Sequence, residues 1–282
     1  MYISEFENML HDPYADPIFC FLIYLAVFIF GISIGSFLNV VILRLPRNES
    51  LIKRSSHCMT CGAKIRPIDL IPVFSWLFLR GKCHSCGEKI SPRYPIVESL
   101  TGLLYVLTFY VIDINAKAII TCLLMSLLVV VAFMDWDTME IDERILGLIL
   151  LLAVPSAIFT DDVSLKHRII GALIISVPFF IIGEVSRVFI RKKYDEDFRA
   201  IELGDTLLMI AAGAVLGTKA IIVSALIGIV AAAVGGIINK AVTKESKFAF
   251  GPFLSIGIAA GALWGNGIAD WYLKLLEASA NQ

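Results

Sequence analysis

Eight stretches of this chain are too long and too apolar to belong to a water-soluble protein. No residue is charged over 17–43, 118–134, 145–160, 169–183, 206–217, 220–239 or 248–269, and an eighth stretch, 96–112, carries one acid, Glu98. A bilayer-spanning helix needs ~20 mostly apolar residues. Backbone groups in hydrocarbon have no water to pair with, so they must be satisfied within helices apolar nearly all round. Composition agrees: 58% of the 282 residues are hydrophobic and 17% charged, too little polar surface to clothe a soluble globule. The net charge of −1 supplies no global field for nucleic acid. The expected fold is an all-α polytopic membrane protein of about eight transmembrane helices. Residues 1–43 are expected to form a tail and the first helix, 44–95 a small cytoplasmic module, and 96–282 a seven-helix membrane domain. Gly217-Thr218-Lys219 is read as a tight connection between the sixth and seventh helices.

The first stretch is too long for a signal peptide, and Glu5, Glu7, Asp12 and Asp16 precede it with no Lys or Arg, so it is expected to be retained. Basic residues favour the cytoplasmic side. Placing 44–95 there puts nineteen of the 24 Lys and Arg inside and leaves Lys117, Lys166, Arg168, Lys219 and Lys274 outside, with both termini outside.

Within 44–95 stand Cys58-Met-Thr-Cys61 and Cys83-His-Ser-Cys86, each followed by Gly. Two such knuckles present four thiolates that can close a tetrahedron on zinc, with the glycines suiting the tight turns. Disulfides and free packing thiols are the alternatives. A cytoplasmic location disfavours stable disulfides, and so small a module needs a staple. A closed sulfur tetrahedron leaves no position for water, so the expected zinc at Cys58, Cys61, Cys83 and Cys86 is structural. Cys20 and Cys122, inside apolar runs, read as packing residues.

His11, His57, His84 and His167 form no His-Glu-x-x-His pair, and neither a Gly-x-Ser-x-Gly elbow nor a phosphate-binding loop occurs. What remains are acids at the membrane boundary: Asp135, at the end of the third helix in 134–143, and Asp205, opening the sixth in Glu202-Leu-Gly-Asp205. The topology puts both on one face at one depth. Two carboxyls within ~3 Å cannot both ionise and would hold a proton and a water between them, the arrangement of an aspartyl protease. The plainer reading makes Asp205 a helix cap and the acids around Asp135 a solvated loop.

With these motifs the chain resembles the type IV prepilin leader peptidases, many of which also methylate the new N-terminus. Gly35-Ser-Phe-Leu-Asn-Val40 is similar to a family signature, as are Ile71-Pro-Val-Phe-Ser-Trp-Leu77, Arg93-Tyr-Pro-Ile-Val-Glu98 and Phe250-Gly-Pro-Phe253. The resemblance implies that Asp135 and Asp205 are the catalytic pair. It implies type IV prepilins or pseudopilins as substrates, cut on the cytoplasmic face of the bacterial inner membrane before a hydrophobic helix, and S-adenosylmethionine as methyl donor. No Gly-x-Gly-x-x-Gly fingerprint appears, so no residue is named for that cofactor. Three departures stand out: Asp142 where the family has proline, Glu202 for the first glycine of the Gly-x-Gly-Asp motif, and Leu207 where lysine is common. Glu202 adds a third acid near the pair, with a shifted pH optimum as the expectation. Acids such as Glu140, Asp142 and Glu143 are expected to attract a basic leader. The competing function is a membrane transporter or scaffold with a partner-binding zinc module, but a proton relay would need acids nearer mid-membrane.

Overall fold

The structure is a computed structural model that describes residues 16–53, 56–160, 163–194, 201–243 and 248–280, without the side chains of 190–194 and 243. Glu5, Glu7, His11, Asp12, Arg54, Arg199, Lys244 and Lys247, used in the reading above, lie outside the described residues. Ten α-helices follow one another: α1 Pro17–Arg44, α2 Phe74–Phe78, α3 Arg93–Ile112, α4 Ala116–Thr138, α5 Glu143–Leu151, α6 Ala153–Phe159, α7 Leu165–Ile174, α8 Ser176–Tyr194, α9 Leu203–Thr243 and α10 Gly251–Ala280. Among the described residues there is no strand, only two isolated bridges.

Six helical segments are long and apolar enough to cross a membrane: α1, α3, α4, Leu165–Phe189, Leu203–Val242 and α10. They hold seven of the eight apolar stretches, and two features explain the difference. The stretch 145–160 is built from α5 and α6, each shorter than a span. They meet at Leu152, three residues before Pro155, whose missing N–H leaves the Leu151 carbonyl without its helical donor. The same spacing recurs where α7 passes into α8 at Ile175, three residues before Pro178.

The second feature is α9, whose 41 residues contain a non-helical Gly217 at φ 77°, ψ −179°. A straight helix would carry Gly236 about 48 Å from Gly204. Yet Gly204 lies against Ile141, six residues after Asp135, while Gly235 lies against Phe253, two residues after the Gly251 that binds Asp135. Both ends of α9 therefore return to the same neighbourhood, and the chain reverses at Gly217, as expected for the 217–219 connection. A positive φ of this kind is open to glycine without a Cβ penalty.

The chain divides into two compact units, 1–130 and 131–282. In the first, α1 packs on α3 through small residues: a Cβ added at Gly31 or Gly35 would sit 2.7 Å from the Cα of Gly102 or Glu98. The Asn39 amide donates to the Tyr94 carbonyl at 3.1 Å, and Tyr105 and Ser126 share a hydrogen bond of 2.9 Å. In the second, Gly213 of α9 meets Gly171 of α7. Beyond the reversal, Ala220, Ser224 and Gly228 run against Gly265, Gly261 and Leu254 of α10.

Arg168, counted among the outer charges, is buried within α7. Its guanidinium donates to the carbonyls of Val163, Ser156 and Val215 and to the hydroxyls of Ser156 and Thr160. It thereby adds donors to carbonyls near the ends of α6 and of the first half of α9, where a cation is favoured.

Candidate active site and metal centre

The cysteine module is two copies of one turn. The Cys58 N–H donates to the Ala63 carbonyl and Gly62 donates back to Cys58. In the second copy Cys83 donates to Glu88 and Gly87 donates back to Cys83. Gly62 and Gly87 close the turns at φ 70° and 74°, and the bridges His57–Lys64 and Lys82–Lys89 flank them. The four Sγ atoms of Cys58, Cys61, Cys83 and Cys86 lie within 4.8 Å of one another, and Cys58 and Cys86 are 3.9 Å apart. Sulfurs held ~2.3 Å from a tetrahedral zinc would be about 3.8 Å apart, so the donor set fits that ion. No disulfide joins any of them. Backbone N–H groups of Cys61 and then Thr60 draw the Cys58 thiol down to about 6. The Glu88 N–H favours the Cys86 thiolate too, but lost hydration and the three neighbouring cysteines outweigh it and lift that thiol to about 12. Sulfurs this crowded ionise together only around a cation.

Asp135 stands in the last turn of α4, and Asp205 is the third residue of α9; they are 5% and 4% exposed. The Asp135 Oδ2 accepts the Gly251 N–H at 2.7 Å. That N–H is an unpaired donor at the start of α10, and Pro252 beside it has none to offer. A Cβ at Gly251 would lie 2.8 Å from the same oxygen, so the contact requires glycine. The Asp205 Oδ2 accepts the Glu202 N–H at 3.1 Å, with Glu202 as cap and Asp205 reaching back from the third position. Part of the plainer reading therefore holds, since one oxygen of Asp205 does cap its helix. The two carboxyls are also close enough for the charge of Asp135 to act on Asp205, and for that of Glu202 to act on both.

The departures from the family pattern have local explanations in two cases. Asp142 is the N-cap of α5, accepting the Arg144 N–H at 2.9 Å, and it pairs with the Arg144 guanidinium at 2.6 Å. It starts that helix in place of proline, and the bonded guanidinium holds its carboxyl below the usual range. Glu202 is exposed and caps α9 through its backbone. Nothing in the structure explains Leu207. Of the acids expected to attract a leader, Asp142 is engaged by Arg144, whereas Glu140 and Glu143 are exposed.

Three residues were not marked by the sequence as parts of this arrangement. Gly251 sat within a motif noted only as a whole. Glu98 was noted as a lone acid and as the end of a motif, with no role given, yet its Oε2 accepts the Val73 N–H at 2.6 Å and ties the module to α3. Arg168 was counted only as a loop charge.

Comparison with known proteins bears on the whole arrangement. Residues 29–112 match the Bacterial Peptidase A24 N-terminal domain, and residues 122–237 match the Type IV leader peptidase family. A prepilin leader peptidase/N-methyltransferase of Aeromonas hydrophila is 33% identical over 274 residues, covering 88% of this chain and 92% of its own. Its namesake in Neisseria gonorrhoeae is 34% identical over 277 residues, covering 87% and 89%. The one in Bacillus subtilis is 29% identical, covering 88% and 97%. No solved structure matches significantly. With similarity running through both units, the chain belongs to the type IV leader peptidase family.

Proposed function

We propose that the chain is a membrane-embedded aspartyl endopeptidase that removes the leader of type IV prepilins or pseudopilins at the cytoplasmic face of the inner membrane, with both of its own termini outside. The observation that carries this reading is the pair of buried carboxyls, each held through one oxygen by a backbone N–H, with the charge of Asp135 reaching Asp205. In so dry a setting two such groups share one proton. The ionised carboxyl takes a proton from water, and the protonated one donates to the oxygen of the scissile carbonyl. The tetrahedral adduct then collapses as the leaving amine receives a proton. Sidedness rests on the basic residues of 44–95. Methylation of the new N-terminus, with S-adenosylmethionine as donor, rests on similarity to the relatives alone.

The test is co-expression of the full-length chain with a prepilin, followed by mass analysis of the pilin N-terminus. Leader removal is expected, together with the added methyl group; a full-length prepilin after co-expression would overturn the reading.

Cys58, Cys61, Cys83 and Cys86 are proposed to hold one structural zinc. Cys58→Ser and Cys83→Ser should each lower the zinc content of purified protein from about one per chain to near zero, because three sulfurs cannot close the tetrahedron. Acidification should also release the metal as protons displace it from the thiolates. Full zinc in both variants would reject the four-cysteine site.

A further inference from the structure

The stretch 67–78 displays apolar side chains that nothing in the first unit covers. Ile68, Leu70, Ile71, Phe74, Leu77 and Phe78 are all exposed, Phe78 by 85%. Phe74, Leu77 and Phe78 are three and four residues apart on α2 and so share one of its sides, while Ile68, Leu70 and Ile71 stand exposed in the turn that leads into it. Trp76 turns the other way. Its indole N–H donates to the Ile90 carbonyl at 3.1 Å and its ring covers Gly81. The stretch is therefore amphipathic, with an inner face held by the module and an outer face left bare, a patch that marks an interaction surface.

Two further observations say what covers it. The first is depth. The Glu98 carboxylate that accepts the Val73 N–H at 2.6 Å is the sixth residue of α3, about 8 Å along its axis from Arg93. The 20 residues of α3 are barely enough to cross a bilayer, so Glu98 falls within the crossing length. The bond ties the turn of 67–78 beside the first turns of α3, the end at which a bilayer-crossing helix meets the headgroups. The second is charge. Residues 44–95 hold ten Lys and Arg against three acids, Glu49, Asp69 and Glu88. Exposed apolar groups at interfacial depth in a basic module fit an anionic lipid surface.

We propose that 67–78 is an interfacial anchor. Its outer side chains enter the acyl boundary of the bilayer, and the basic residues of the module engage headgroups of anionic phospholipid. This reading is independent of peptidase activity and holds whether or not the carboxyl pair is catalytic.

The test uses the full-length chain with a photo-crosslinking phenylalanine in place of Leu77 or Phe78, in phosphatidylcholine vesicles with and without phosphatidylglycerol. Irradiation at either position should yield lipid adducts, severalfold more with phosphatidylglycerol, while the same group at the exposed Thr60 should yield few. Adducts to a second copy of the chain or to a co-reconstituted pilin helix in place of lipid would overturn the proposal. So would equal lipid yield at Thr60, or no dependence on the anionic lipid. As a second measurement, F78E should raise amide exchange over 67–78 severalfold in anionic vesicles at full zinc content; unchanged exchange would likewise overturn it.

Discussion

Asp135→Asn and Asp205→Asn should each stop leader removal while leaving the protein folded in the membrane. The amide is nearly isosteric with the carboxyl, and its carbonyl oxygen can still accept the Gly251 or Glu202 N–H. What is lost is the exchange of a proton: Asn neither takes one from water nor gives one to a carbonyl. General acid–base catalysis contributes on the order of 10²–10⁴-fold, and a dyad that works as a unit loses most of that when either member goes. Time courses of prepilin cleavage in membranes should show a loss of at least that order for each variant. The double variant should be little worse than either single one. Processing that survives both changes would sink the aspartyl mechanism, and losses that multiply would show two carboxyls acting separately. Zinc content serves as the control, since the four cysteines lie in the other compact unit.

How far the sequence revealed this arrangement depended on which physics each feature obeys. Apolar runs are legible because hydrocarbon punishes every exposed polar group alike, so all eight were visible before any coordinate. The knuckles were legible because Cys-x-x-Cys-Gly specifies ligands and turn together, and Gly62 and Gly87 adopt the positive φ their positions required. The burial of Arg168 was not legible because charge counting treats every arginine as solvated, whereas this one finds carbonyls and hydroxyls inside the second unit. The division of 145–160 at Leu152 follows from Pro155, a residue in plain view whose effect hydropathy cannot register. Asp142 was flagged as a departure, and only its bonds to Arg144 show it doing the helix-starting work of proline. The hold of Gly251 on Asp135 joins positions 116 residues apart, a separation no local pattern encodes.

That hold supplies a test outside the carboxyl pair. Gly251→Ala should reduce prepilin cleavage by on the order of 10²-fold, the usual consequence of moving a reacting group by about an ångström. The new methyl carbon would lie 2.8 Å from the Asp135 Oδ2, 3.0 Å from Cγ and 3.1 Å from Cβ. Because the whole side chain is crowded, turning the carboxylate oxygen aside does not relieve the contact. Asp135 must rotate away or α10 must retreat, and either movement stretches the 2.7 Å bond from the Gly251 N–H. Gly147→Ala in α5 is the matched control: nothing lies within 4 Å of its added Cβ, and alanine is the better helix former. Its cleavage rate should stay within about twofold of the parent. If Gly251→Ala cleaves as fast as Gly147→Ala, the Gly251 bond does not position Asp135 for reaction. If it fails while membrane insertion and zinc content are normal, the defect lies in the placement of one carboxylate.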